Sequence, residues 1–356
     1  MSLIAILYNL LSLIAVGVLL TRVSKNLKTN TVLVGLFILG LLSFVLVVIS
    51  ILISRSLWLA IQLVTWSLFL QLPLYLLGIA FLSRRTGRVL SLVSLFSAAI
   101  IMGIAADAFL IEPYNLEIRR YTLHSDKITK PMKIGILTDM QTDNPGPYEE
   151  GILRLLMQDA PDIILLPGDY VQHADPVEFQ KLETRLNAML KEVGVSAPLG
   201  VYAVEGDQEI KHHDLWTQSF AETKIKTFSD TISFDVGEIT LTALSFDDSS
   251  DIDSSIRSAL KYHIVFGHRP DYSLGKVSAD LLIAGHTHGG QVQLPWLGPL
   301  VTASNVPRSW ADGLTQLDPY RTLIVSRGTG MERDDAPRLR FLCRPELTLI
   351  ELLPAP

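Results

Sequence analysis

Lys133-Ile-Gly-Ile-Leu-Thr-Asp139 and Asp162-Ile-Ile-Leu-Leu-Pro-Gly-Asp169 decide the fold. Each is a short, continuous apolar run ending in an aspartate, and a helical pattern near residues 148–158 separates them. Strands that are apolar on both faces belong to a sheet buried on both sides, and in such α/β sheets ligands gather beyond the strands' carboxyl ends. Downstream, a helix is expected near 177–192, then Gly200-Val-Tyr-Ala-Val-Glu-Gly206, which ends at Asp207-Gln208-Glu209. Alternation over 226–246 predicts antiparallel strands, and a further helix is expected near 253–260. Tyr262-His-Ile-Val-Phe-Gly267 then ends at His268, and Asp280-Leu-Leu-Ile-Ala-Gly285 ends at His286-Thr287-His288-Gly289-Gly290. Upstream, alternation around 116–123 reads as an exit strand. Five strands thus deliver acids and imidazoles to one edge of a sheet.

The first third of the chain is built differently. Residues 1–111 hold Asp107 as their only acid and seven bases, out of 36 acids and 30 bases in 356 residues. Apolar runs at about 3–20, 32–53, 57–82 and 89–111 are each near or above the ~20 residues that a bilayer core demands. They predict four spanning helices and a domain boundary at 111/112, with a membrane anchor over 1–111 and a soluble domain over 112–356. Arg22, Lys25 and Lys28 follow the first run, and Arg84, Arg85 and Arg88 follow the third, whereas Arg55 stands alone after the second. The positive-inside bias then places the N-terminus and the soluble domain outside the cytoplasm. The soluble part carries 23 bases and 35 acids, which argues against nucleic acid as a partner. A single cysteine, Cys343, excludes an intrachain disulfide or a cysteine zinc site and reads as a small buried residue.

Asp139, Asp169, Asp207, His268, His286 and His288 are donors that zinc, manganese and iron accept. Strand spacing in His286-Thr287-His288 would aim both imidazoles at one face, and the flanking glycines leave room for close approach. Six donors exceed the needs of one tetrahedral ion, so two divalent transition metal ions (Mn, Fe or Zn) are the economical explanation. Such a pair activates a hydroxide and clamps the charge that builds on a phosphoryl oxygen.

At these residues the chain resembles the calcineurin-like metallophosphoesterases, and within them the membrane-associated bacterial branch. The motifs are Asp139-Met140-Gln141, Gly168-Asp169-Tyr170-Val171-Gln172, Gly206-Asp207-Gln208-Glu209, Gly267-His268 and Gly285-His286-Thr287-His288, with the tail from Gly289 to Pro295 and Val325-Ser326-Arg327-Gly328. The resemblance implies a four-layer α/β sandwich, two central mixed sheets flanked by helices, behind the four transmembrane helices. It also implies one metal on Asp139, Asp169 and His288, and a second on Asp169, Asp207, His268 and His286, with Asp169 bridging.

Departures from the family pattern bear on activity. Gln141 stands where the family has a histidine ligand, offering a weaker amide oxygen, and Gln172 replaces an aspartate whose loss is coupled to it if that acid orients the missing histidine. Gln208 stands where the family has the histidine that serves the leaving group, and glutamine is not an acid; His212 or His213 would be substitutes, and Arg327 a candidate phosphate contact. Glu209 would orient neighbouring loops or cap a helix. The expected function is a membrane-anchored, metal-dependent phosphoesterase acting on a phosphate ester or pyrophosphate, with a lipid-linked substrate suited to the anchor and a bacterial cytoplasmic membrane as its location. The alternative is a non-catalytic metal- or ligand-binding relative with a degraded site.

Overall fold

The computed structural model describes residues 3–356. The chain divides into two compact units, residues up to Ile111 together with Glu332–Arg338, and Glu112–Met331 together with Leu339–Pro356.

Among the described residues, four helices are long and apolar enough to cross a membrane: Leu3–Lys25, Thr29–Ser54, Leu57–Ser83 and Arg88–Tyr114, the last running three residues into the second unit. The first two are α1 (Leu3–Lys25) and α2 (Thr29–Ser54). The third joins α3 (Leu57–Trp66) to α4 (Leu72–Ser83) through a π turn, and the fourth begins as α5 (Arg88–Ala106). Large apolar side chains such as Phe37, Phe44 and Leu52 point outward, whereas Ser12, Ser50, Gln71 and Tyr75 are buried, and some of the inward polar groups pair. Gln71 donates to Asn9 Oδ1 at 2.9 Å, Tyr8 bonds Ser67, and the Tyr75 hydroxyl donates to the Val32 carbonyl at 3.2 Å. Apolar side chains outside with polar ones turned inward is the pattern expected of membrane-spanning helices.

The second unit holds two six-stranded mixed sheets. The first contains β1 (Glu117–Ser125), β2 (Met132–Ile136), β3 (Ile163–Leu166), β4 (Val201–Val204), β5 (Ile225–Phe228) and β16 (Glu346–Pro354), in the order β1-β16-β2-β3-β4-β5. β2 to β5 are mutually parallel and β16 runs antiparallel to β2. The second contains β6 (Ile232–Val236), β7 (Ile239–Ala243), β9 (Tyr262–Phe266), β11 (Leu281–Ala284), β14 (Gly313–Asp318) and β15 (Arg321–Val325), in the order β14-β15-β11-β9-β7-β6. Two small pairs lie outside the sheets: β8 (Ser255–Ile256) with β10 (Lys276–Val277), and β12 (Gln293–Leu294) with β13 (Gly298–Pro299).

Period-two alternation sorts the strand residues. Ile163 and Leu165 face Ile264, Phe266 and Ile283 between the sheets, whereas Ile164 and Leu166 pack outward against helices α6 (Pro147–Gln158) and α7 (Pro176–Val193). Asp175 caps α7 by accepting from the amides of Val177 and Glu178, and Gly194 ends it at φ 73°. The acids and imidazoles therefore leave two facing sheets rather than one edge: β2, β3 and β4 from the first, β9 and β11 from the second.

The helix expected near 253–260 does not form. Ser245 instead caps the earlier helix α9 (Phe246–Ser250) by accepting from the Asp248 amide, and Ser255–Ile256 is drawn into pairing with Lys276–Val277. The outer face of the second sheet is therefore covered by short elements, among them α9 and the 3-10 turn Pro270–Leu274, and not by a long helix.

Glu183 lies fully buried on α7 and accepts from the Ser219 amide at 2.8 Å. Burial pushes its carboxyl up to about 8. The unfolded chain releases this proton near the ordinary carboxylate value and the folded chain only near pH 8, so stability falls as pH rises between the two. The slope is up to about 1.4 kcal/mol per pH unit. Glu183→Gln keeps the acceptor without the ionisation and should exceed wild type by about 2 kcal/mol or more at pH 7, with the gap closing towards pH 4.5. Thermal unfolding midpoints of both proteins across that range check this; a pH-independent gap would contradict it.

Candidate metal centre

Asp139 and Asp169 sit just past β2 and β3, and His286 and His288 just past β11. All four have positive φ, at 51°, 59°, 70° and 48°. Non-glycine residues rarely adopt that conformation, and clusters of such strain mark functional loops. The two imidazoles do face the cluster, but through left-handed backbone and not through strand alternation. Glycines make the approach possible: a Cβ on Gly206 would lie 2.3 Å from Asp169 Oδ1, and one on Gly285 2.2 Å from Asp139 Oδ2.

The chain ends converge. His268 Nε2 lies 3.1 Å from Asp207 Oδ2 and 3.5 Å from Asp169 Oδ2, His286 Nδ1 lies 2.7 Å from Asp207 Oδ2, and His288 Nε2 lies 3.7 Å from Asp139 Oδ1. Among the described residues, two sets have donor atoms close enough to hold a cation: Asp207 with His268 and His286, and Asp139 with Asp169 and His268. His268 thus stands between the two sets. Burial with the neighbouring Asp169 charge raises Asp139 to about 6. Burial also works against a charge on His268, but the Asp169 carboxylate and the hydrogen bond to Asp207 raise it to about 10. Asp207 is held far below the usual carboxylate range by His268 and His286 despite its burial.

The donor set fits divalent metal. His268 Nδ1 donates to the Pro167 carbonyl at 2.8 Å and His286 Nε2 to the Ala303 carbonyl at 2.9 Å, so the opposite ring nitrogens face the carboxylates. Carbonyl acceptors on the far nitrogen are what fix the tautomer of a ligating histidine. Ala303 is itself supported, because Asp271 accepts from Ser304 Oγ at 2.9 Å and from the Asn305 amide at 2.8 Å.

Several side chains differ from their sequence reading. Gln141 turns its amide nitrogen to Asp169 Oδ2, donating to that carboxylate at 2.6 Å. Gln208 is buried, its backbone amide donates to Asp169 Oδ1 at 2.8 Å, and its side-chain Oε1 accepts from Lys211 Nζ at 2.9 Å. His212 donates to the His173 carbonyl at 2.9 Å and packs on Phe179, and His213 pairs with Glu205. Arg327 binds Glu346 Oε2 at 2.9 Å and Glu117 Oε2 at 2.6 Å, a buried ion pair and not a phosphate contact. Gln172 is buried next to the bridge between Thr142 and Val171 that joins the two glutamine-bearing loops.

Glu209 orients loops and caps the short helix α8 (Asp207–Ile210) at once. It accepts from the amides of Asp169 at 2.7 Å, Tyr170 at 2.9 Å and Gly206 at 2.9 Å. Burial and the Asp169 charge push its carboxyl up to about 8 against those donors.

Two residues escaped the sequence. Arg269 forks onto Asp207, with Nε at 3.3 Å from Oδ2, and lies over the Phe246 ring at 5.3 Å. Arg340 is fully buried and donates to the carbonyls of Gly330 at 2.6 Å and Arg327 at 2.7 Å, strapping down a loop whose Gly330 amide donates to the Asp139 carbonyl at 2.7 Å. The residue following a candidate ligand histidine was the available signal for Arg269; Arg340 lies in irregular chain and offered none.

Residues 132–290 match the calcineurin-like phosphoesterase family. The chain is 26% identical over 262 residues to the metallophosphoesterase YkuE of Bacillus subtilis, covering 68% of this chain and 87% of that protein. It is 26% identical over 257 residues to the phosphodiesterase YaeI of Escherichia coli, covering 68% and 90%. A Helicobacter pylori metallophosphoesterase is also 26% identical over 254 residues, covering 67% of this chain but only 64% of that longer protein. The stretch that carries every candidate ligand from Asp139 to His288 is therefore a calcineurin-like metallophosphoesterase domain.

Proposed function

We propose that the protein is a membrane-anchored phosphoesterase that uses two divalent transition metal ions to hydrolyse a lipid-linked phosphate ester or pyrophosphate. We place its catalytic domain and N-terminus outside the cytoplasm. The observation that carries the reading is the convergence of Asp139, Asp169, Asp207, His268, His286 and His288, with the ring tautomers of His268 and His286 set by carbonyls. Asp139, Asp169 and His288 would hold one ion and Asp169, Asp207, His268 and His286 the other. Together the ions supply Lewis acidity and neutralise charge on a phosphoryl oxygen.

The remaining residues set what the site does with a substrate. Gln141 holds the central Asp169 carboxylate in place by hydrogen bonding, and Arg269 offsets the negative charge that Asp207 brings. Gln208, supported by Lys211, offers N–H donors to a phosphoryl oxygen but no acidic proton to a leaving group. General acid catalysis is worth about 10² to 10⁴-fold, so substrates with acidic leaving groups, a pyrophosphate among them, suit this site better than alkyl esters.

The test is turnover by the full chain in detergent with Mn²⁺. A p-nitrophenyl phosphate ester should be hydrolysed at least about 10²-fold faster than the corresponding alkyl ester, with a chelator abolishing both. Metal retention with no turnover of either would replace this reading with the non-catalytic binding role that Gln141, Gln172 and Gln208 favour.

A further inference from the structure

No Asp, Glu, Lys or Arg occurs between His288 and Arg308. Within that stretch, β12 and β13 form a hairpin whose tip is Pro295-Trp296-Leu297. Trp296 is fully exposed at 104%, Leu297 is 58% exposed, and Leu294 and Leu300 are exposed beside them. Trp296 has φ 66° because it is the third residue of a tight turn in which the Leu297 amide donates to the Leu294 carbonyl at 3.2 Å, and this turn holds the indole out at the tip. A tryptophan held out on an uncharged loop is unusual for a surface that meets only water.

Both ends of the excursion are fixed at the metal centre. Gln293 Nε2 donates to the Gly289 carbonyl at 3.0 Å, directly behind His288, and a Cβ on Gly290 would meet Pro299 at 2.5 Å. On the return, the Ala303 carbonyl accepts from His286 Nε2. The exposed Arg308, in the 3-10 turn Arg308–Trp310 that packs beside β13, brings a cation to the hairpin's flank.

We infer that the 291–302 hairpin is a bilayer-contacting wedge, which seats Trp296 and Leu297 in the lipid interface and presents lipid-borne phosphate esters to the site. The inference rests on the proposed membrane anchor and phosphoesterase function and adds the element that meets the lipid. The occupant is a bilayer surface for three reasons on this chain. Four membrane-length helices hold the domain to one by covalent linkage. The stretch lacks any charge that would resist the interface, and an amphipathic indole is the side chain that settles at headgroup level.

The test uses the full chain in phosphatidylcholine and phosphatidylglycerol vesicles, with and without brominated acyl chains. An environment-sensitive fluorophore is attached at Trp296→Cys, at Leu297→Cys and, as reference, at the exposed Tyr320→Cys; the native Cys343 is buried and gives the labelling blank. Labels at 296 and 297 should shift to shorter wavelength and be quenched by brominated lipid, and the label at 320 should do neither. Emission at 296 and 297 matching that at 320 would overturn the inference, as would a blue shift without quenching, which indicates a protein partner or a second copy. In parallel, Trp296→Glu with Leu297→Glu should lower turnover of a vesicle-embedded phosphate ester at least about tenfold while sparing a soluble aryl ester. Equal loss on both esters would also overturn it. If wild type turns over neither ester, the phosphoesterase reading fails by itself and the quenching result still decides the wedge.

Discussion

Asp169→Asn should lower kcat/KM for an aryl phosphate ester by three orders of magnitude or more, a loss of about 4 kcal/mol in transition-state stabilisation. Asp169 occupies the middle of the cluster: Oδ2 takes the Gln141 amide at 2.6 Å and faces His268 at 3.5 Å, while Oδ1 takes the Gln208 amide at 2.8 Å. An asparagine can keep the Gln208 bond through its oxygen, so the loop remains in place. Its neutral amide brings two N–H donors to a position that would serve both cations, removing one negative charge and one donor atom together. Steady-state kinetics with Mn²⁺, alongside an unchanged thermal midpoint, checks the prediction. A variant retaining a tenth of wild-type activity would show that Asp169 does not stand between two ions.

Glu209→Ala should be the most destabilising single change near the site. Its two oxygens accept three buried amides from two different loops, those of Asp169, Tyr170 and Gly206. Each buried amide left without an acceptor costs about 1–3 kcal/mol, so the variant should lose at least about 3 kcal/mol. For a domain of this size that lowers the unfolding midpoint by roughly 10 °C. Glu209→Gln keeps one oxygen but turns an NH₂ group towards an amide donor, so its midpoint should fall between those of wild type and the alanine variant. Equal midpoints for all three would mean the loops carrying Asp169 and Gly206 are held by something else.

The legible part of this protein was the part written locally. Lys133–Asp139 and Asp162–Asp169 announce strands by unbroken apolar runs, and the acids at their ends are visible because nothing polar precedes them. The membrane-length helices are visible for the same reason, since exclusion of charge over more than twenty residues has few other causes. The division of the strands into two sheets was not readable from the residues alone, because pairing partners are chosen by long-range contacts; the family resemblance supplied it. The helix expected near 253–260 was lost to competition between local elements. Ser245 starts a helix earlier, and Ser255–Ile256 finds an edge to pair with.

Side-chain roles were less legible than side-chain positions. The His286-Thr287-His288 spacing suggested strand alternation, whereas the chain has already left β11 and turned left-handed. Arg327 carries the charge expected of a phosphate contact, but Glu117 and Glu346, far off in sequence, claim it. Arg340 and the Asp271 support beneath Ala303 are defined by carbonyls and amides that the folded loops bring together. Such backbone partners leave no trace in residue spacing.

The proposed chemistry requires two cations that share Asp169. Electron paramagnetic resonance of the full chain titrated with Mn²⁺ addresses that claim most directly, because a carboxylate-bridged pair of ions is magnetically coupled and an isolated ion is not. Two Mn²⁺ should bind per chain, with an exchange-coupled signal that Asp169→Asn removes. Binding of a single uncoupled ion, or of none, would contradict that chemistry.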